Sequence, residues 1–147
     1  MKLEVNVAWP ELVAYDDSAT DLLMEQPEFE WDNWASFIGE LADDLDAELR
    51  KAGCSAILDI TTDGMSVEGT TWTTPQEMLA AIARLRTILH NGSTLAAALI
   101  DSYNNVNYRE RPGEPLQLMC EDLDVLAAQA QWALDRGMTR VCVAINV

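Results

Sequence analysis

The amino-acid sequence predicts one α+β domain over residues 1–147, with an approximately four-stranded, mainly antiparallel sheet and helices packed mainly on one face. Three observations predict this class. The length suits a single domain with a substantial core. Several long segments repeat apolar residues every three or four positions, and shorter segments alternate at period two or are rich in β-branched residues. Helices alternating with strands are typical of a sheet covered by helices.

The N-terminal third is predicted to contain one strand and the clearest helix. Residues 3–9 alternate apolar and polar side chains and form a strand that Pro10 ends. A short helix is compatible with residues 18–25. Residues 30–52 have a helical apolar stripe, cations in the last turn and Gly53 in place to end the helix. The stripe consists of Trp31, Trp34, Ile38, Leu41, Leu45 and Leu49.

The middle of the chain is predicted to form a hairpin and a capped helix. Residues 55–61 and 65–72 resemble two strands joined by the Asp63-Gly64 turn signal. Thr74, Pro75 and Glu77 are typical of a helix start. The inward stripe of this helix consists of Met78, Ile82, Leu85 and Leu89, and Asn91-Gly92 closes it.

The C-terminal third is predicted to contain a long helix and a last strand. Residues 93–103 are compatible with either a short helix or a buried strand, and residues 104–115 form a polar loop. The helix covers residues 116–136, with Met119, Leu123, Leu126, Ala130 and Leu134 inward. Residues 138–147 are rich in β-branched side chains and form the final strand.

Charge is distributed very unevenly along the chain. The formal net charge is −16, and residues 3–49 hold fourteen of the 25 carboxylates without one Lys or Arg. Such a field repels phosphates and anionic lipid head groups and attracts basic partners. We therefore expect neither direct nucleic-acid binding nor membrane binding. The chain opens without signal-peptide features and lacks a membrane-spanning apolar run, so we expect a cytoplasmic protein.

Motifs for catalysis, metals or cofactors are missing from the sequence. The single histidine, His90, falls in the last turn of a predicted helix, where a capping role accounts for it. Cys54, Cys120 and Cys142 are widely separated and flanked by apolar residues, which predicts reduced, buried thiols. We therefore predict that the protein is not an enzyme and needs no cofactor or metal.

Function is predicted from the acidic third. Surplus carboxylates on a small protein without catalytic motifs are typical of inhibitors that occupy the basic cleft of a nucleic-acid-handling protein, as in toxin immunity, anti-restriction or anti-CRISPR inhibition. Within residues 30–52, four acids are spaced to share one helix face, although like charges at i,i+4 are unfavourable. The predicted partner-binding residues are Asp16, Asp17, Glu28, Glu30, Asp32, Glu40, Asp43, Asp44 and Glu48.

Two other functions stay open at the level of sequence. One is a carboxylate-dependent, possibly metal-assisted enzyme. The other is a structural or adaptor domain whose acidic face is merely solvated. The enzyme would require two or three carboxylates to converge in a pocket, drawn from Asp16, Asp17, Asp59, Asp63 and Asp101.

The charge distribution generates one stability prediction. Because salt screens repulsion between carboxylates, the urea midpoint of unfolding should stay constant or rise as NaCl is added to a low-salt buffer. Chemical denaturation followed by circular dichroism measures this midpoint. A midpoint that falls with added NaCl would mean that attractive ion pairs outweigh repulsion in the fold.

Overall fold

The computed structural model describes residues 2–8, 34–61, 71–107, 111–138 and 140–146. Helices account for most of these residues. The elements, in chain order, are β1 (Lys2–Ala8), α1 (Trp34–Gly39), α2 (Asp43–Lys51), a 3-10 turn (Ser55–Ile57), β2 (Ile60–Thr61), α3 (Pro75–Leu89), α4 (Thr94–Val106), α5 (Pro115–Asp135) and β3 (Arg140–Asn146).

The predicted α+β class with a four-stranded, mainly antiparallel sheet is wrong, because the described chain is dominated by helices. Its strands occur in the order β1-β3-β2, and β2 has two residues. β3 pairs antiparallel with β1 and parallel with β2. The consecutive residues Val141, Cys142 and Val143 are all buried, so both faces of the central strand are covered.

The strand predicted over residues 55–61 is mostly replaced by the 3-10 turn, because the chain turns tightly after α2. Gly53 has a φ of 86°, its N–H donates to Arg50 O, and the Cys54 N–H donates to Leu49 O. This pattern is a Schellman ending. Ile57 and Leu58 are both buried, which a half-exposed strand would not allow. The predicted partner strand, residues 65–72, lies mostly outside the described residues.

The helix predicted over residues 30–52 is interrupted within its span. α1 ends at Gly39, and α2 begins at Asp43 after Ala42 adopts an extended conformation. Gly39 has low helix propensity, and Asp43 is favourable at a new helix N-terminus. The described stripe residues still face the core: Trp34 and Leu49 are buried, and Ile38, Leu41 and Leu45 are partly buried. Trp31, the first residue of the predicted stripe, lies outside the described residues.

The helices predicted in the middle and C-terminal thirds and the two terminal strands are confirmed, whereas the short helix considered for residues 18–25 lies outside the described residues. At the start of α3, Thr74 Oγ1 accepts from the Glu77 N–H at 3.0 Å, and Pro75 is the first helical residue. The ambiguous residues 93–103 belong to α4, where Ser93 caps the first turn. All four stripe residues of α3 are buried; of the α5 stripe, Leu134 alone is partly exposed.

The core lies between the helices and β3. α3 packs against α5, and these helices also contact β3 and β1, respectively. At the other end, the rings of Trp34 and Phe37 are 5.2 Å apart, and those of Phe37 and Tyr103 are 5.7 Å apart. The Trp34 Nε1–H donates to Ile57 O at 3.0 Å. One aromatic cluster therefore joins α1, α4 and the 3-10 turn.

A buried polar network joins α4 to α5. Asp122 is 2% exposed and accepts from the Tyr103 hydroxyl at 2.5 Å and from Arg111 Nη2 at 2.9 Å. Arg111 also donates to Leu118 O at 3.0 Å. Burial of the guanidinium disfavours its charged form, but bonding to Asp122 outweighs this, so the pKa of Arg111 lies above its ordinary value.

The stripe of α2 predicts a graded effect of truncation. L49A removes a fully buried side chain and should lower the free energy of unfolding by about 2–5 kcal/mol. L45A should cost less, because part of that side chain already contacts water. Urea unfolding of the two variants checks the order. Equal losses would contradict the described orientation of α2.

The buried network predicts a larger loss for its acid than for its hydroxyl. D122A leaves the Arg111 charge without its carboxylate and should lower the free energy of unfolding by about 3–5 kcal/mol. Y103F removes one hydrogen bond to a charged group and should cost about 1.5–3 kcal/mol. Denaturant titrations of both variants measure this order. A smaller loss of unfolding free energy in D122A than in Y103F would contradict it.

Candidate functional site

The structure describes four of the nine predicted partner-binding acids. Asp16, Asp17, Glu28, Glu30 and Asp32 lie outside the described residues, so their placement is not tested. The other four lie in or beside α2 and are here called the acidic surface. The acidic surface consists of Glu40, Asp43, Asp44 and Glu48.

The acids of the acidic surface do not share the face of one continuous helix, as the sequence predicted. Glu40 lies in the turn after α1, whereas Asp43 and Asp44 form the first turn of α2. Asp44 and Glu48 alone keep the i,i+4 spacing within one helix. Because acids at a helix N-terminus interact favourably with the dipole, part of the repulsion inferred from sequence is offset.

All four side chains of the acidic surface are exposed. Among the residues that the structure describes, no cationic side chain pairs with Glu40, Asp43 or Asp44. Glu48 lies 3.6 Å from the Lys51 ammonium, but both side chains are more than half exposed, so this pair contributes little. Three exposed carboxylates close together in the chain therefore have no described cation beside them.

Arg50 neutralises the acids on the other side of α2. Its Nε is 2.8 Å from Asp46 Oδ2, and its Nη1 is 2.9 Å from Asp59 Oδ1. The hydrogen bond to Asp46, partly opposed by burial and supported by Asp59, raises the pKa of Arg50. Arg50 thus fixes the C-terminal half of α2 against the segment that leads into β2.

A cleft of about 230 Å³ opens beside this junction, and sequence reasoning did not predict it. Two carboxylates, three hydroxyls and one indole ring belong to its described lining, and each carboxylate is paired with an arginine just outside it. The lining residues are Gly53, Ser55, Ala56, Asp59, Thr71, Trp72, Thr73 and Glu77.

Arg84 and β3 both bond to residues that line the cleft. Arg84 Nη1 donates to Gly53 O at 2.9 Å and to Glu77 Oε1 at 2.8 Å, which joins the end of α2 to the first turn of α3. Thr73 exchanges backbone hydrogen bonds of 2.9 and 2.8 Å with Val141. The cleft is therefore built by segments that already bond to one another.

Trp72 is the distinctive side chain of the cleft. Its indole N–H is buried and has no acceptor among the residues that the structure describes, and the Arg140 guanidinium lies 5.9 Å from the ring centroid. A buried donor without an acceptor is uncommon in a folded protein. In the sequence, Trp72 resembled one more apolar residue of a hairpin strand.

The carboxylates proposed for enzymatic chemistry are not brought together in the described chain. Asp59 lines the cleft and pairs with Arg50, whereas Asp101 is exposed on α4; Asp16, Asp17 and Asp63 are not described. Groups of three or more potential metal ligands are also missing from the described residues.

The histidine and the thiols have structural explanations. His90 ends α3, and its Nδ1 lies 2.8 Å from Arg86 O, as expected for a capping residue. Cys54 and Cys142 are buried, as predicted, whereas Cys120 is only partly buried. Burial raises the pKa of Cys54 and Cys120, which lowers their reactivity.

The described part of the chain thus offers an exposed set of carboxylates along α2 and the turn before it, and a polar cleft beyond the C-terminal end of α2. None of its helices is both long enough and apolar enough to cross a membrane. No protein-family model, curated protein or solved structure matches the chain.

Proposed function

We propose that the protein is a non-catalytic, cytoplasmic binding protein that inhibits a basic, nucleic-acid-handling partner. The observation that carries the proposal is the acidic surface, where three exposed carboxylates have no cationic partner in the described chain. Suitable partners are nucleases, toxins and restriction or CRISPR complexes, because Lys and Arg line the clefts in which they hold phosphates.

Charge explains how such an inhibitor acts. Carboxylates that occupy a phosphate-binding cleft compete directly with nucleic acid, so inhibition needs no catalytic group. The field of a protein with a net charge of −16 also accelerates encounters with a basic partner. The acids of the acidic surface belong to a helix and the turn before it, which orders them before binding and lowers the entropic cost of association.

Neutralisation of the acidic surface should slow association with the partner. The partner is first isolated with the wild-type protein as bait, and its binding kinetics are then measured by surface plasmon resonance. The test variant carries E40Q, D43N, D44N and E48Q. Neutral amides are preferable to lysines, because cations in the first turn of α2 would oppose the helix dipole. We expect the association rate at low salt to fall by roughly tenfold or more.

A matched control separates local charge from net charge. The control variant removes four exposed carboxylates from α4, α5 and the residue before α5, namely D101N, E114Q, E121Q and D135N. It should retain most of the wild-type association rate, with circular dichroism as the fold control for both variants. If the two variants slow association equally, the acidic surface is only a solvated face and not the binding site. Isolation of a partner that is not basic would contradict the proposed function itself.

A further inference from the structure

We propose that Asn91 is a site of spontaneous deamidation, by which the protein gains a carboxylate in the turn between α3 and α4. This inference does not depend on the proposed function. Asn91 and Gly92 lie between His90, the C-cap of α3, and Ser93, the N-cap of α4. Residues 90–93 form the whole connection between the two helices, so a chemical change at this pair acts directly on their junction.

The reaction needs no enzyme and no co-reactant other than water. The Gly92 backbone nitrogen loses its proton to solvent and attacks the Asn91 side-chain carbonyl carbon, which forms a new N–C bond. The tetrahedral intermediate then breaks its Cγ–Nδ2 bond and, with a proton returned by solvent, expels ammonia. Water opens the resulting succinimide ring at either carbonyl and gives aspartate or isoaspartate. The oxidation state of the chain is unchanged throughout.

The attacking nitrogen of Gly92 is accessible in the fold. Asn91 and Gly92 are both exposed, and a Cβ added at Gly92 would meet nothing of the described chain within 4 Å. Gly92 has a φ of 69°, which glycine adopts freely. The Asn91 N–H donates to Ile88 O at 3.2 Å, whereas the Gly92 N–H donates to no acceptor within the described residues. Removal of its proton therefore breaks no hydrogen bond of the fold.

The side-chain carbonyl of Asn91 is held in place and polarised by the next residue but one. Asn91 Oδ1 accepts from the Ser93 N–H at 2.9 Å. This hydrogen bond closes a small ring that contains the Gly92 nitrogen, so the two reacting atoms are kept near each other before reaction. Negative charge develops on Oδ1 in the tetrahedral intermediate, and a donor already directed at that oxygen stabilises it.

Two other exposed asparagines provide an internal comparison. Asn104 and Asn105 lie within α4, and the residues that follow them, Asn105 and Val106, carry side chains. In an α-helix the following N–H donates to the carbonyl four residues earlier and would have to give up that bond before attack. We therefore expect both to remain amides while Asn91 is converted.

Conversion should weaken the junction of α3 and α4. Either product places a carboxylate beyond the C-terminal end of α3, where the helix dipole disfavours negative charge, in a chain whose net charge is already −16. Isoaspartate also carries the backbone through Cγ, so the original Oδ1 becomes a main-chain oxygen and the present contact with the Ser93 N–H is lost. Aged protein should therefore unfold at a lower urea midpoint than fresh protein.

Mass spectrometry of the whole chain tests the site. The purified protein is incubated at neutral pH and physiological temperature, and peptide mapping with tandem mass spectrometry locates each gain of one mass unit. We expect this gain at residue 91, with Asn104 and Asn105 unchanged. A synthetic peptide of residues 87–96 measures the rate without the fold, and the folded chain should react within severalfold of it.

Two variants separate the chemistry from general ageing. G92A should slow conversion at Asn91 by roughly tenfold or more, because the added methyl group hinders attack by the neighbouring nitrogen. N91Q keeps Gly92 and a neutral amide but cannot form the succinimide, so its urea midpoint should stay constant during the same incubation. Circular dichroism verifies that each variant is folded.

Three results would overturn the proposed site: no mass gain at residue 91, conversion of Asn104 or Asn105 as fast as that of Asn91, or a folded chain that reacts roughly tenfold or more slowly than the peptide. An equal fall of the urea midpoint in aged wild-type protein and aged N91Q would contradict the weakened junction. Each of these results leaves the proposed function untouched, because Asn91 is not part of the acidic surface.

Discussion

Four arginines hold the segments of this acidic chain together at their junctions, and much of the described fold depends on them. Arg50 fixes α2 to the segment before β2, and Arg84 fixes the end of α2 to α3. Arg86 pairs with Asp124 across α3 and α5, and Arg111 bonds to Asp122 in the network between α4 and α5. The chain has nine cationic residues against 25 acids, so these internal contacts leave a large surplus of negative charge.

That surplus connects stability with the proposed function. A cation placed between two acids reduces the repulsion that would otherwise separate the segments carrying them. Arg50 does this for Asp46 and Asp59. Glu40, Asp43 and Asp44 lie at the solvated start of α2, where water and the helix dipole make unpaired carboxylates tolerable. Unpaired charge destabilises the fold least at these exposed positions, and the same exposure makes them accessible to a partner.

Local signals predicted most helices and the two terminal strands well, but not the conformation of residues 55–61 or the break within the helix predicted over residues 30–52. Thr74 and Pro75 marked the start of α3, because a cap and a first-turn proline depend only on neighbouring residues. The apolar run at residues 56–58 fits a strand or a turn equally, and its conformation is decided by the tight ending at Gly53 and by contacts with α3. Likewise, a continuous apolar stripe concealed the break after Gly39, because α1 and α2 both direct that stripe toward one core.

The candidate site divides in the same way. The acidic surface was predictable as a set of residues, because composition alone reveals unpaired charge, but its common helix face was not. The cleft combines residues 53–59 with residues 71–77, and Arg84 and Val141 hold its walls from two further elements. No local pattern encodes that meeting, so Trp72 and Glu77 had no functional signal in the sequence.

Water and salt affect the charges of this chain differently according to their burial. Charges on the exposed acidic surface act over a Debye length of about 8–10 Å and are screened by salt, so in the proposed function they would set how quickly a basic partner arrives. Asp122 is 2% exposed and pairs with Arg111 out of water, where screening by salt is weaker. Added salt should therefore slow association with the partner while leaving the buried pair, and the part of the fold that depends on it, largely intact.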